Sequence, residues 1–296
     1  MYGGQEMRTG LVLEGGAMRG MFTAGVMDVM MEQGIRFDGA IGVSAGAAFG
    51  VNYKSGQIGR VLRYNVRFCR DKRYCGLWSY LKTGDLYSTS FCYGEVPLHL
   101  DPFDFEAYAQ NPMRFYVVCT DVRTGEAVYH EYTGYADHGL DWIRASASLP
   151  LAANIVRIDG RELLDGGMVD SIPLRYMESL DYTRNVVVLT QPRGYLKKPN
   201  NLLPLIRLRY RAYPALIHAL ENRHCMYNEE LSYVAKRERE GKAFVIRPRE
   251  ALPIGRVEKN PEKLRMVYAL GREAAEEALP ALSAFMTQAE TNGKEA

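Results

Sequence analysis

Regular patterning begins with an unbroken apolar run, "TGLVLEGG" (Thr9–Gly16), which reads as a buried strand entering a glycine turn. The next stretch, "GAMRGMFTAGVMDVMMEQG", places Met21, Ala24, Gly25, Met27 and Val29 to Met31 on a mostly apolar helical face, and Gly34 suits its C′ position. "DGAIGVS" repeats the buried-strand pattern. "AGAAFGVNYKSG" follows as a helix of small residues that permits close packing. Strand–helix–strand–helix order over about 45 residues predicts a parallel sheet covered by helices.

From about residue 58 to 112 the chain is aromatic, basic and irregular, with weak periodicity. "MRFYVVCTDVRTGEAVYHEY" then holds two β-rich runs around Arg123-Thr124-Gly125, which predicts a hairpin. "HGLDWIRASASLP" predicts a helix that stops before Pro150, and "VRIDGRELLDGG" a second hairpin turning at Asp159-Gly160. "RNVVVLTQ" is a continuous apolar strand of the parallel type. Beyond about Pro199 the pattern is largely helical, apart from a strand at "KAFVIRP", and it closes with a helix from about Pro261 to Gln288. With no internal repeat or long linker, the expected organisation is a core over residues 9–190. A mainly helical elaboration over 191–296 packs on the same domain.

Composition narrows the class. A chain of 296 residues with 47% apolar content can bury a sizeable core. A net charge of +2 points to neither nucleic acid nor strongly acidic partners. "MYGGQEMRTG" lacks the basic start and apolar stretch of a signal peptide, and no window approaches the roughly 20 apolar residues that span a bilayer. Cysteines 69, 75, 92, 119 and 225 form no CxxC pair, so a reduced, cytoplasmic setting is expected. "RLRYRAYPALIHAL" (Arg207–Leu220) alternates basic and aromatic residues before an apolar turn. It reads first as a solvated helical face, with peripheral contact to an anionic membrane surface as the alternative.

Gly42-Val43-Ser44-Ala45-Gly46 matches G-x-S-x-G at a strand-to-helix junction. A sharp turn there lifts the serine clear of the sheet, the flanking glycines avoid Cβ clashes, and the next helix points its positive end at Ser44. Ser44 is thus a candidate nucleophile; a small-residue turn is the alternative. Glu14-Gly15-Gly16-Ala17-Met18-Arg19-Gly20 ends the preceding strand, where small residues let backbone N–H groups cluster as a site for a developing anion. Phosphate binding is the rival reading. However, Met21-Phe22 stands where a P-loop needs Lys-Ser/Thr, and Asp38 begins the second strand where a dinucleotide fold needs an acid at its end. Arg19 suits a buttress of the loop, a contact to lipid phosphate, or a solvated helix start.

A Ser-Asp-His order would require a late histidine. His218 and His224 lie late enough, but both fall in the helical stretch "ALIHALENRHCMYNEE" and read as ordinary helix residues; His99, His130 and His138 come too early. Asp165-Gly166-Gly167 offers another partner: Asp165 ends a strand, and the glycines permit an abrupt exit. An Asx turn is the competing explanation.

Together, "LVLEGGAMRG", "IGVSAGA" and "ASASLPLAANIVRIDGRELLDGGMVDSIPL" resemble the patatin-like phospholipase family, bacterial branch, over about Thr9 to Leu189. The resemblance implies a three-layer α/β/α sandwich with a mainly parallel central sheet. It further implies a Ser-Asp dyad that hydrolyses fatty-acyl esters of lipids with no histidine, no metal and no cofactor. By that resemblance Ser44 is the nucleophile, Asp165 the base, and Gly15, Gly16 and Ala17 the oxyanion loop. Arg19, Gly20, Gly42, Gly46, Gly166 and Gly167 support the motifs. The family usually carries a third glycine where this chain has Ala17. A lipid or acyl ester is the expected substrate; the helix after Ser44 and the Met and aromatic residues of the first helix are candidates to bind the acyl chain, with core packing as their default role. A soluble carboxylesterase, or an idle lipid-binding protein on the same fold, are the competing readings.

Overall fold

The computed structural model describes residues 8–294; residues 1–7, part of the start that lacks a signal-peptide pattern, lie outside them. Eight strands form one sheet: β1 (Arg8–Leu13), β2 (Gly39–Val43), β3 (Arg114–Asp121), β4 (Ala127–Glu131), β5 (Val156–Ile158), β6 (Arg161–Asp165), β7 (Tyr182–Val188) and β8 (Ala243–Ile246). β3, β2, β1, β7 and β8 pair in parallel in that spatial order; β4 and β6 join β3 antiparallel, and β5 joins β6. The helices are α1 (Gly20–Glu32), α2 (Ala45–Lys54), α3 (Arg60–Phe68), α4 (Leu77–Thr83), α5 (Phe105–Gln110), α6 (Asp141–Ser146), α7 (Leu174–Ser179), α8 (Leu203–Arg209), α9 (Pro214–Arg239) and α10 (Pro261–Lys294).

Strand alternation sorts the core into two faces. Leu11, Leu13, Val117, Val186 and Val188 pack with Met21 and Phe22 of α1, Ala47 of α2, Val61 of α3 and Leu264 of α10. On the other face Val12, Ile41, Val43, Val118 and Val187 meet Leu174 and Met177 of α7 with Tyr227 and Val234 of α9. Helices cover both faces, giving the expected three-layer α/β/α architecture with a mainly parallel sheet. The last third of the chain is woven into it: β8 extends the sheet beside β7, and α10 lies along α1 with Tyr268 donating to Asp28 at 2.6 Å.

Both predicted hairpins form, and the left-handed φ values at Gly125 (70°), Asp159 (48°) and Gly160 (75°) supply their turns. The stretch with weak periodicity holds more helix than its pattern suggests: α3, α4, α5 and a wide π-type segment, Phe91–Leu100. Buried polar residues interrupt its apolar stripes. Arg60 is 5% exposed and binds Asn52 Oδ1 at 2.9 Å and the Asp101 carbonyl at 2.6 Å; Asn65 is fully buried against Tyr74. Among the described residues no helix is long and apolar enough to cross a membrane.

Candidate active site

Strand β3 sets the geometry of the site. β2 and β4 both pair with residues 116–118, and β4 and β6 both pair with residues 119 and 120, so β2 and β6 must share one edge of β3. They lie there end to end and run toward each other. β2 finishes with Val43 opposite Val118, and β6 finishes with Asp165 opposite Cys119, the next residue. Ser44 and Asp165 therefore leave their strands at one point of the sheet.

Ser44 turns there at φ 56°, ψ −119°, a backbone region that strains any residue with a Cβ, at a cost on the order of 1–3 kcal/mol. The surroundings hold it in place. Ser44 N–H donates to Ser146 Oγ at 2.9 Å, and that hydroxyl donates to the Val118 carbonyl at 2.7 Å, tying the turn to β3. A Cβ on Gly42 would lie 2.4 Å from the Gly46 carbonyl oxygen, and one on Gly46 would lie 2.3 Å from that of Leu13. Both glycines of the motif are thus required by close backbone approach. α2 starts at Ala45 and directs its positive end toward the turn.

The Gly15–Ala17 loop lies against this turn, since a Cβ on Gly15 would sit 3.0 Å from Ser44 Cβ. Among the described residues the N–H groups of Gly15 and Gly16 donate to no protein acceptor. Ala17 has φ 49°, left-handed backbone that glycine adopts without strain. Arg19 closes the loop over β7, its Nε 3.5 Å from Thr190 Oγ1, and Gly20 lets α1 approach Phe49 and Ala45 of α2.

Asp165 is 1% exposed and caps the turn that follows it, with Oδ1 accepting from Gly167 N–H at 2.8 Å. Gly166 is bound to its place because a Cβ there would lie 2.2 Å from the Val118 carbonyl oxygen. Asp165 Oδ2 has no partner at full hydrogen-bond geometry. Burial raises the Asp165 pKa; the adjacent Ser44 hydroxyl, then Arg223, pull it back. The carboxylate is therefore desolvated, ionisable and in reach of one serine.

Three residues the sequence reading passed over complete the surroundings, all on one stripe of α9. Arg223 Nε donates to the Gly167 carbonyl at 2.5 Å; Tyr227 donates to the fully buried Glu14 at the start of the loop; Glu230 accepts from Ser171 N–H at 3.1 Å. Burial, followed by the facing Asp170, pushes the Glu230 pKa up, and burial raises Asp170 as well, which favours one proton shared between the two carboxyls. The signal was present. Leu216, Leu220, Tyr227 and Val234 are the buried residues of α9, and Arg223 and Glu230 fall on the same helical stripe, where a solvated face would not put them.

Two spaces meet at Ser44. A cleft of about 50 Å³ is bounded by the Gly15–Ala17 loop, Asp165, Lys197, Arg223 and Arg256. A larger cavity of about 520 Å³, well within the size range of ligand sites, leads away between Ala48 and Phe49 of α2, Tyr64, Tyr93, Val96 and Ile143. For the first helix the core-packing reading holds and the acyl-binding one does not: Met21, Phe22 and Met27 are core residues, and only Met18, in the turn before α1, reaches the cavity. The irregular 58–112 segment supplies the walls instead, because α1 is consumed by packing on α10. None of the five histidines lines either space; His218 is exposed, and His224 contacts the Glu221 carbonyl one turn back.

Known proteins resemble this chain in two parts. The family model "Patatin-like phospholipase" matches residues 11–177, and "Domain of unknown function (DUF6363)" matches 213–287. The uncharacterized protein YjjU of Escherichia coli (strain K12) is 25% identical over 291 residues, covering 96% of this chain and 80% of that protein. Lysophospholipase NTE1 of Chaetomium globosum is 28% identical over 179 residues; these cover 58% of this chain but only 11% of the larger protein. VipD from Legionella pneumophila superposes with a TM-score of 0.47 and 12% identity over 94% of this chain and 67% of that one. The first family match spans more than half of the sequence, including Ser44, Asp165 and the glycine loop between β1 and α1, and so the chain belongs to the patatin-like phospholipase family.

Proposed function

We propose that this protein is a serine acyl hydrolase that cleaves fatty-acyl esters of lipids through a Ser44–Asp165 dyad. The observation that carries the reading is the meeting of β2 and β6 on β3, which brings the hydroxyl and the buried carboxylate to the mouth of an apolar cavity. In the first step Asp165 takes the Ser44 proton as Oγ attacks the ester carbonyl. The N–H groups of Gly15, Gly16 and Ala17 receive the oxyanion, a contribution worth about 3 kcal/mol per donor. Collapse of the tetrahedral intermediate expels the alcohol, which takes the proton from Asp165. Water, deprotonated by the same carboxylate, then attacks the acyl-enzyme; collapse of this second intermediate frees the fatty acid, and Ser44 Oγ takes the proton back from Asp165. Burial of Asp165 serves this chemistry, because a raised pKa makes a carboxylate a stronger base.

The dyad is tested by three substitutions against one fluorogenic lipid ester. Ser44→Ala and Asp165→Asn should each lower turnover by several orders of magnitude in a folded protein, with fluorophosphonate labelling lost in Ser44→Ala. His218→Asn and His224→Asn, singly and together, should keep most of the rate. Near-normal turnover in Asp165→Asn, alongside loss in either histidine variant, would refute the dyad. Profiling phospholipids, acylglycerols and short soluble esters separates a lipid hydrolase from a general carboxylesterase.

Peripheral membrane contact belongs to the same reading, at a shifted place. Leu216 and Leu220 are buried, so the apolar end of the Arg207–Leu220 stretch is core. Leu202, Leu205 and Leu208 are at least half exposed around Arg207 and Arg209 on α8, beside cavity residues Leu202 and Ile206. Co-sedimentation with anionic phosphatidylglycerol vesicles should fall in Leu205→Ser/Leu208→Ser; unchanged sedimentation would remove this contact from the proposal.

A further inference from the structure

Four cations from four separate parts of the chain converge on the small cleft beside Ser44. Arg19 comes from the turn after β1, Lys197 from the loop after β7, Arg223 from α9, and Arg256 from the loop between β8 and α10. Among the described residues none of them forms an ion pair with a carboxylate. Lys197 Nζ sits 4.0 Å above the Tyr227 ring. The acids of the cleft, Glu14 and Asp165, are two against four cations, so an excess of positive charge remains around it. Burial and the neighbouring Arg223 push Lys197 down to about 8, which expresses the same excess of positive charge. Gathering four cations around one small cleft, none of them held in an ion pair, is costly through mutual repulsion unless an anion completes the site.

We propose that Lys197, Arg223 and Arg256, with Arg19, form a subsite for the phosphate group of a phosphorylated glycerolipid, so that the cleft selects phosphate-bearing acyl esters over neutral acylglycerols. The division of space fits such a substrate. Ser44, Ala17, Leu149, Arg223 and Arg256 border both the polar cleft and the apolar cavity, so an ester carbonyl held at Ser44 has room for its chain on one side and for a compact anion on the other. Guanidinium forks match phosphate oxygens in pairs, and a phosphate brings up to two negative charges to a site with several positive ones. Three of the four cations lie outside the matched patatin-like region, which ends at residue 177; the last third of the chain thereby reads the head group of a reaction performed by the first two.

The ester preference rests on the hydrolase reading, whereas phosphate binding does not, and the experiment keeps the two apart. Calorimetry on full-length Ser44→Ala should detect glycerol 3-phosphate but not glycerol. Adding Lys197→Gln or Arg256→Gln should weaken that binding about ten- to hundredfold, the usual loss of a charge-assisted contact, and Arg256→Lys should restore part of it. With active protein, kcat/KM for lysophosphatidic acid should exceed that for the monoacylglycerol of the same chain by at least about tenfold, and the ratio should fall toward one in both variants. Arg256 is exposed, so its replacement tests the site without disturbing the core. Binding of glycerol 3-phosphate without turnover of either ester would support the subsite and refute the hydrolase. Equal turnover of the two esters would overturn the subsite and leave the hydrolase standing, as would glycerol 3-phosphate affinity that ignores both substitutions. Inorganic phosphate bound as tightly as glycerol 3-phosphate, with an ester ratio near one, would also overturn it in favour of a free-phosphate site.

Discussion

The first 54 residues and the last hundred reach the same serine by different means. In β1, β2 and their loops, the backbone itself forms the site: Gly15, Gly42 and Gly46 are glycine because carbonyls and Ser44 leave no room for a Cβ. In α9 the backbone is an ordinary helix 26 residues long, and the site is reached by side chains at its tip of reach: Arg223 to Gly167, Tyr227 to Glu14, Glu230 to Ser171. Backbone construction fixes residue identity position by position. Side-chain bracing fixes only which stripe of a helix faces inward, and several residue types could satisfy it. The difference teaches that the chemistry and its support can be carried by stretches of very unequal visibility.

Substitutions in the two regions sharpen that contrast, beginning with the largest effect. Arg223→Gln removes a charge-assisted bond to the Gly167 carbonyl and the nearest cation to Asp165, and kcat/KM should fall roughly ten- to hundredfold. The pH profile identifies the cause. Arg223 favours the ionised carboxylate, so its loss raises the Asp165 pKa further, and since the base must be ionised the acidic limb should move to higher pH. An unmoved limb with a normal rate would mean that α9 only covers the site. Tyr227→Phe leaves buried Glu14 short of a donor and should cost about 1–3 kcal/mol in urea unfolding, with a smaller effect on rate. If stability were unchanged, the brace from α9 to the loop would carry no energy. Ala17→Gly belongs to the backbone-built region and should have the smallest effect. Relief of left-handed strain should stabilise the protein by up to about 1 kcal/mol, seen as a raised Tm, with turnover equal or modestly higher. A large fall in turnover with the fold intact would make the methyl group part of the site.

The legibility of the sequence follows the same division. Ser44, Asp165 and the Gly15–Ala17 loop, which the fold brings together, could be picked out as candidates in advance, because tight turns and close approaches leave few residue choices. The hairpins at Gly125 and Asp159-Gly160 were readable for the same reason, as was the parallel order of β1, β2 and β7 from their unbroken apolar runs. The cavity wall was not readable. Residues 58–112 bury Arg60, Asn65 and Asp101, which erase the apolar rhythm that marks a helix facing a core. Met21, Phe22 and Met27 were ambiguous for the opposite reason: a continuous apolar helix fits a ligand wall as well as a core, and the position of α10 decides between them. The Arg223–Tyr227–Glu230 stripe sits between these cases, visible as charges on an apolar face but silent about what they touch.

The head-on meeting of β2 and β6 also has a consequence in time. The strand and helix that flank Ser44 are made early, yet its proposed partner is 121 residues further along and arrives on a strand running the opposite way. A ribosome-bound chain ending before residue 165 would display the strained serine with no carboxylate beside it. On the proposed mechanism such a nascent chain lacks its base, which arrives only when the hairpin of β5 and β6 docks on β3.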